Sequence, residues 1–285
     1  MKKALLLGIA CLAAQTLFAQ QALKFSVKYL PMQSYAMSVK MDMDMNMNIE
    51  DAATAKAMKD AGQPAVMLMK MNMNMAADIA TKAQDAKKDV PLVMTYNNIT
   101  MDASMNGQAL PIPQTDIKGM AFLGHYSNQT KKISIDGIQG GVLDAAKKTA
   151  AEAQLSQMFN QYNFPDTTLK IGDTFEQNMP LSVPVGAGST EVQTKVKYTL
   201  KEIKDNLAIF DLDQALDMVM DLPQGAGKMT MKGSGKGSMI YDIAAKFPTQ
   251  TNINMDYKFN MTSGGIPISG DMKGVSIVDV KVAKK

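Results

Sequence analysis

Between Met37 and Ile49 every second position is apolar: the odd-numbered residues read Met, Val, Met, Met, Met, Met, Ile. The residues between them are Ser38, Lys40, Asp42, Asp44, Asn46 and Asn48. A period of two sends one set to each face of a β-strand, whereas a helix would scatter both sets around its circumference. The pattern returns at Met67, Met69, Met71, Met73 and Met75, alternating with Leu68, Lys70, Asn72 and Asn74. Two strands are predicted here, each with a thioether face and a polar face.

Similar runs fill most of the chain. Strands are predicted at 23–30, 34–49, 66–79, 90–105, 116–124 and 131–136, and again at 169–184, 190–203, 206–220, 228–243, 252–262 and 272–282. Turn chemistry separates them at Asn106-Gly107, Asp136-Gly137, Asp205-Asn206 and Gly264-Gly265. The strongest hairpin signal is Val192 to Leu200 alternating, then Lys204-Asp205-Asn206, then Leu207 and Ile209. Two stretches read as helix. Asp51 to Ala61 is alanine-rich, with Asp51 placed to cap it and Gly62 to stop it. Residues 142–162 carry an apolar stripe through Leu143, Ala146, Ala150, Ala153, Leu155, Met158, Phe159 and Tyr162, suited to lie against a sheet, and Pro165 ends that region.

The expected fold class is mainly β: a curved antiparallel sheet or open half-barrel with one amphipathic helix. Residues 20–285 form one domain in this reading. Two similar halves, 20–140 and 163–285 joined by helix 142–162, are the alternative. Leu23-Lys24-Phe25 and Leu169-Lys170-Ile171-Gly172-Asp173 open the two stretches alike, but the later periods do not align.

The first nineteen residues have the form of a secretory signal. Lys2 and Lys3 precede an apolar run from Ala4 to Phe18, and Leu17-Phe18-Ala19 offers cleavage after Ala19. Cys11, the one cysteine, lies inside that run, and Gly8-Ile9-Ala10 makes a poor lipidation box before it. The exported chain therefore has no thiol, and its core must hold it without disulfides. No later segment supplies the ~20 apolar residues of a membrane-spanning helix. The expected location is the periplasm, the outer-membrane surface or the exterior.

Formal net charge is +3, and all thirty basic residues are lysine. Arginine, the usual reader of phosphates and base edges, is absent, as is tryptophan. No nucleic-acid partner is expected.

The stretch Leu169 to Phe175, the Thr190–Phe210 hairpin and the run Lys232-Gly-Ser-Gly-Lys-Gly-Ser-Met-Ile-Tyr-Asp242 resemble a family of exported Bacteroidota proteins, a domain of unknown function. The ending Phe18-Ala19-Gln20 is similar in style to secreted proteins of that phylum. The resemblance implies a mainly-β envelope protein and brings no catalytic residues with it. In general shape such chains resemble the curved half-barrel sheets of envelope proteins that hold lipid chains, a likeness at the level of fold.

Three uses of the methionines compete. They can fill a core as adaptable hydrophobes. They can line a cavity for an apolar small molecule or lipid, with Met41, Met43, Met45, Met47, Met69, Met71 and Met73 as the lining. They can bind Cu(I) or Ag(I), with Met43, Met45, Met71 and Met73 as ligands, since thioethers suit soft monovalent ions. Other signals are weaker. His125 is the only histidine. The run Gly233 to Ser238 departs from the phosphate-loop pattern, because Gly237 follows the lysine, and reads as a place where the sheet bends sharply or the central helix approaches closely. Asp42/Asp44 and Asp211/Asp213 share strand faces at ~6.6–6.8 Å, with no aromatic platform evident for a sugar. Asp166-Thr167-Thr168 resembles an acceptor for O-linked glycans in the same phylum. The functional expectation is a secreted, non-enzymatic envelope protein without a cofactor, either binding an apolar ligand or structural; the alternative is a methionine-based Cu(I)/Ag(I) binder.

Overall fold

A computed structural model describes residues 22–111, 119–140, 164, 168–185, 188–221 and 227–285. The signal segment 1–19, the predicted helix 142–162, Pro165 and Asp166-Thr167 lie outside the described residues.

The strands are β1 (Leu23–Lys24), β2 (Gln33–Ile49), β3 (Val66–Thr81), β4 (Val90–Met105), β5 (Gln108–Leu110), β6 (Ala121–Ser127) and β7 (Lys132–Gln139). They continue with β8 (Thr168–Leu169), β9 (Thr174–Val185), β10 (Gly188–Lys204), β11 (Leu207–Asp221), β12 (Lys228–Asp242), β13 (Phe247–Ser263) and β14 (Ile266–Lys284). Among the described residues one helix, α1 (Ala52–Asp60), stands between β2 and β3. Asp51 caps it as expected, its carboxylate accepting from the Thr54 amide at 3.3 Å and hydroxyl at 3.0 Å.

The main sheet is antiparallel, in the order β7-β6-β4-β3-β2-β14-β13-β12-β11-β10-β9, with β5 beside β4. Its path follows the chain from β2 out to the β7 edge, resumes at the β9 edge and returns through β14 to β2. Seventeen residues of β2, Gln33 to Ile49, pair with β14 and join the two wings. No pairing of β7 with β9 closes a barrel among the described residues.

The turn signals at Asn106-Gly107, Asp205-Asn206 and Gly264-Gly265 produce two-residue hairpins. Every one of those residues has a positive φ, between 49° and 83°, which matches the right-handed twist of the flanking strands. Asp136-Gly137 does otherwise. It lies within β7, where the register against β6 slips between Leu123 and Gly124, so it marks a bulge rather than a turn. The predicted strand 169–184 is likewise two elements, β8 and β9, separated at Gly172, whose φ is 93°.

Predicted strand 23–30 is the largest departure. Only Leu23 and Lys24 pair, with Leu169 and Thr168. Residues 25–30 continue as an extended strap across one face of the sheet, and their alternation still sorts them: Phe25 and Tyr29 are buried, Ser26 and Lys28 half-buried. Phe25 packs edge-on against Phe210 and Tyr241 at 5.2 and 5.3 Å. Tyr29 meets Tyr35 and Phe247 at 5.2 Å and Tyr126 at 5.7 Å. Val27 touches both of the aromatic clusters that these rings anchor.

The polar groups of the strap show how strongly the sheet curves. Tyr126 on β6 donates to the Val27 carbonyl at 3.1 Å, and Tyr241 on β12 donates to the Ser26 carbonyl at 2.6 Å. Strands β6 and β12 stand six strand intervals apart in the sheet. A flat sheet would hold them ~29 Å apart at ~4.8 Å per interval. Adjacent carbonyls can be reached from both only if the sheet wraps around the strap. The glycines of β12 assist: a Cβ on Gly237 would collide with the Asn252 carbonyl oxygen, and one on Gly233 would sit 2.6 Å from the Cα and Cδ1 of Tyr257. The run that imitates a phosphate loop is thus the middle of a bent strand, with no helix after it.

The convex face carries the intervening polar residues, cross-linked by Asp44–Lys70, Asp211–Lys201 and Asp217–Lys232 at 3.8, 3.1 and 2.9 Å. Such exposed pairs stabilise little. The concave packing carries the fold. Phe25→Ala is expected to cost ~3–5 kcal/mol, read as a lowered urea midpoint, because it removes a buried ring packed against Phe210 and Tyr241. Val219→Thr, at a position 68% exposed, is expected to change stability by less than ~0.5 kcal/mol.

Burial also pushes the phenols of Tyr35, Tyr96, Tyr241 and Tyr257 up to about 12 from an ordinary value of about 10. The folded state favours the neutral phenol, so this contribution is complete below pH 10 and is lost as pH rises through 12. The urea midpoint should therefore fall between those pH values, with phenolate absorbance rising alongside unfolding. A midpoint constant to pH 12 would contradict the assignment.

Candidate functional site: the methionine face

The two methionine-rich strands are direct neighbours. Their register sets Met41 opposite Met73, Met43 opposite Met71, Met45 opposite Met69 and Met47 opposite Met67. The pairing follows from period-two patterning, since a slip of one residue would put thioethers opposite Asn72 or Lys70 on the wet side. Directly opposed side chains start ~4.5–5.5 Å apart, and same-strand neighbours ~6.6–6.8 Å apart.

The field extends beyond these two strands. On β4, Met101 and Met105 stand opposite Met73 and Met69. On the other side Met45 faces Met272 of β14, which faces Tyr257 of β13. The same face continues through Met255, Phe259 and Met261 to Met229 and Met231 of β12, and then to Met218 and Met220 of β11. Period two is visible in Met218/Met220 and Met229/Met231, but their membership of the same surface depends on strand order. Sequence reasoning omitted them for that reason.

Burial divides this surface. Met231, Met272, Met229, Met255 and Met220 are buried, from 1% to 9% exposed, in a cluster with Leu216, Tyr257 and Phe259. Met41, Met43, Met45, Met47, Met69, Met71 and Met73 are half-buried, although Met43, Met45 and Met47 pack against that cluster. The strand residues between them, Asp42, Asp44, Lys70 and Asn72, are exposed on the opposite face.

Phe259 fills the space above Gly270, where a Cβ would come within 2.5 Å of the ring, so its aromatic surface lies low beside Met47. At the margin of the field a buried polar relay is complete: the Tyr257 hydroxyl donates to Gln214 Oε1 at 3.0 Å, and Gln214 Nε2 donates to Thr194 Oγ1 at 3.0 Å. With those groups mutually satisfied, the floor under the half-buried methionines is apolar in its chemistry.

The quartet Met43, Met45, Met71 and Met73 is not a compact square. Met43 and Met71 are directly opposed, but Met45 pairs with Met69 and Met73 with Met41, leaving Met45 and Met73 two rows apart, ~13 Å along the strands. No group of three or more His, Cys, Asp or Glu side chains with metal-binding geometry occurs among the described residues.

The other sequence signals fall elsewhere. His125 and Asp136 pair at 2.9 Å, Nδ1 to Oδ2, across β6 and β7 in an exposed setting. Asp42 and Asp44 point from the convex face, and Asp211 is held by Lys201. A separate cavity of about 420 Å³ is lined by Lys24, Ser26, Lys28, Lys131 and Lys246, at the strap end of the sheet away from the methionines. No helix among the described residues is long and apolar enough to cross a membrane.

No protein-family model matches the chain, and no curated protein is significantly similar to it. Among solved structures, one described as lipid-protein interactions in lipovitellin is similar with a TM-score of 0.46 and 8% identity, over 90% of this chain and 26% of that one. The chain spans about a quarter of that protein's length.

Proposed function

We propose that the chain is an exported, non-enzymatic envelope protein that holds an apolar small molecule or lipid chain against its methionine face. The observation that carries this reading is the half-burial of the directly opposed pairs Met41/Met73, Met43/Met71, Met45/Met69 and Met47/Met67, contiguous with a buried floor of Met272, Tyr257 and Phe259. Thioethers on unbranched stems can re-pack around ligands of varied shape. A contiguous apolar surface open to solvent is itself a mark of a binding face. Export is supported by the signal-like residues 1–19 and by the resemblance to exported envelope proteins.

Native mass spectrometry of the protein purified gently from an envelope extract tests the reading. Adducts of lipid-sized mass are expected. Met43→Gln with Met71→Gln should lower their retention about tenfold, equivalent to ~1.4 kcal/mol, while strand circular dichroism persists. Bare polypeptide mass, together with no binding of added fatty acid, would overturn the proposal. Unfolding of the double variant would instead assign the pair to the core.

A further inference from the structure

We propose that the methionine face is a site of selective, fold-tolerant oxidation, in which conversion of thioethers to sulfoxides switches the surface from apolar to polar. Release of a bound apolar molecule follows from that switch and rests on the ligand reading above; the oxidation itself does not.

Exposure is the first part of the argument. Met43, Met45, Met69 and Met71 are half-buried, whereas Met94, Met120 and Met239 are 0%, 1% and 0% exposed. An oxidant of the peroxide or hypohalous class reaches the first group and is shielded from the second. With peroxide, a sulfur lone pair attacks one oxygen, the O–O bond breaks and an S–O bond forms. Sulfur loses two electrons, the peroxide is reduced, and the departing hydroxide takes a proton to leave as water. The only cysteine in the sequence is Cys11, inside the signal-like segment, so no thiol of the described residues competes for the oxidant.

The consequence depends on where the sulfoxide forms. Its oxygen is a strong acceptor that must be hydrated or hydrogen-bonded. On the half-buried face water can supply that partner, and the backbone ladder between β2 and β3 is untouched. Within the aromatic clusters it could not, but Met94 and Met120 inside one cluster and Met239 inside the other are shielded, while Met37 and Met75 at the margin of the first are half-buried. Reactivity follows the burial of each thioether: Met231 and Met272 are sealed within the methionine field, and Met32, 49% exposed just before β2, is open outside it. The sheet can accumulate sulfoxides at its half-buried methionines while the strap and its rings hold the fold.

The test is titration of the full chain with hydrogen peroxide, with sulfoxide at each methionine quantified by peptide mass spectrometry. Strand circular dichroism, retention on a hydrophobic-interaction column and binding of the apolar dye N-phenyl-1-naphthylamine are read at the same points. The half-buried methionines should oxidise at least tenfold faster than Met94, Met120 and Met239. Circular dichroism should persist, column retention should fall, and methionine sulfoxide reductases with a thiol reductant should restore it. A variant with Met→Leu at Met43, Met45, Met69 and Met71 should keep its retention under peroxide at doses that reduce it in the parent. Equal rates at all methionines, loss of strand signal with the first sulfoxides, or unchanged retention after the face is oxidised would each overturn the proposal. Failure of the dye to bind the untreated protein would count against the ligand reading alone, because selectivity and retention are measured without it.

Discussion

The six-residue strap from Phe25 to Leu30 is the constraint on which the rest of the molecule depends. A wide antiparallel sheet has an apolar side that must be covered, and here the sheet covers it by wrapping around its own N-terminal segment. The strap supplies rings to both wings and carbonyls to Tyr126 and Tyr241, and its polar groups are paired where they enter the core. Buried Thr81 completes the arrangement, donating to the Leu30 carbonyl at 2.7 Å and accepting from the Gln33 amide at 2.8 Å. The strap therefore ends tied to β3 and leads directly into β2. Satisfied backbone groups allow an unladdered segment to cross an apolar surface without the penalty of orphaned donors and acceptors.

That arrangement divides each strand by function. The end beside the strap is aromatic: Phe175 and Tyr198 stack at 4.6 Å with planes 2° apart, and Tyr96 meets Phe122 edge-on at 5.5 Å. The far end is methionine. Aromatic rings are rigid and define a single packing, whereas thioether chains conform to whatever is beside them. Rigid packing at one end leaves the other free to be adaptable and half-open without loss of the fold.

Several local readings of the sequence carry through because they concern neighbours in the chain. The alternation of β2 and β3, the cap at Asp51 and the three two-residue turns need only side-chain period and φ preference. The misreadings have a common cause. Phe25 to Leu30 alternates like a strand, yet no strand lies beside it to form a ladder. Asp136-Gly137 has turn chemistry, but β6 continues past it and draws it into a bulge. Which methionines of β2 stand opposite which of β3, Met45 with Met69 and Met41 with Met73, was likewise set by strand pairing and not by the alternation.

The sequence by itself determined which residues share a face, where hairpins reverse, and that the class is mainly β, because period and turn conformation are local properties of the backbone. It also named the methionines of β2 and β3 as the chemically unusual surface. Only the tertiary structure decided that β2 lies against β14, that the surface runs on to β11, and that the strap bends the sheet. It also decided that Met43 and Met71 remain half-open while Met231 and Met272 are sealed. Those outcomes depend on contacts between segments far apart in the chain, where burial is set by what covers a side chain rather than by its own identity.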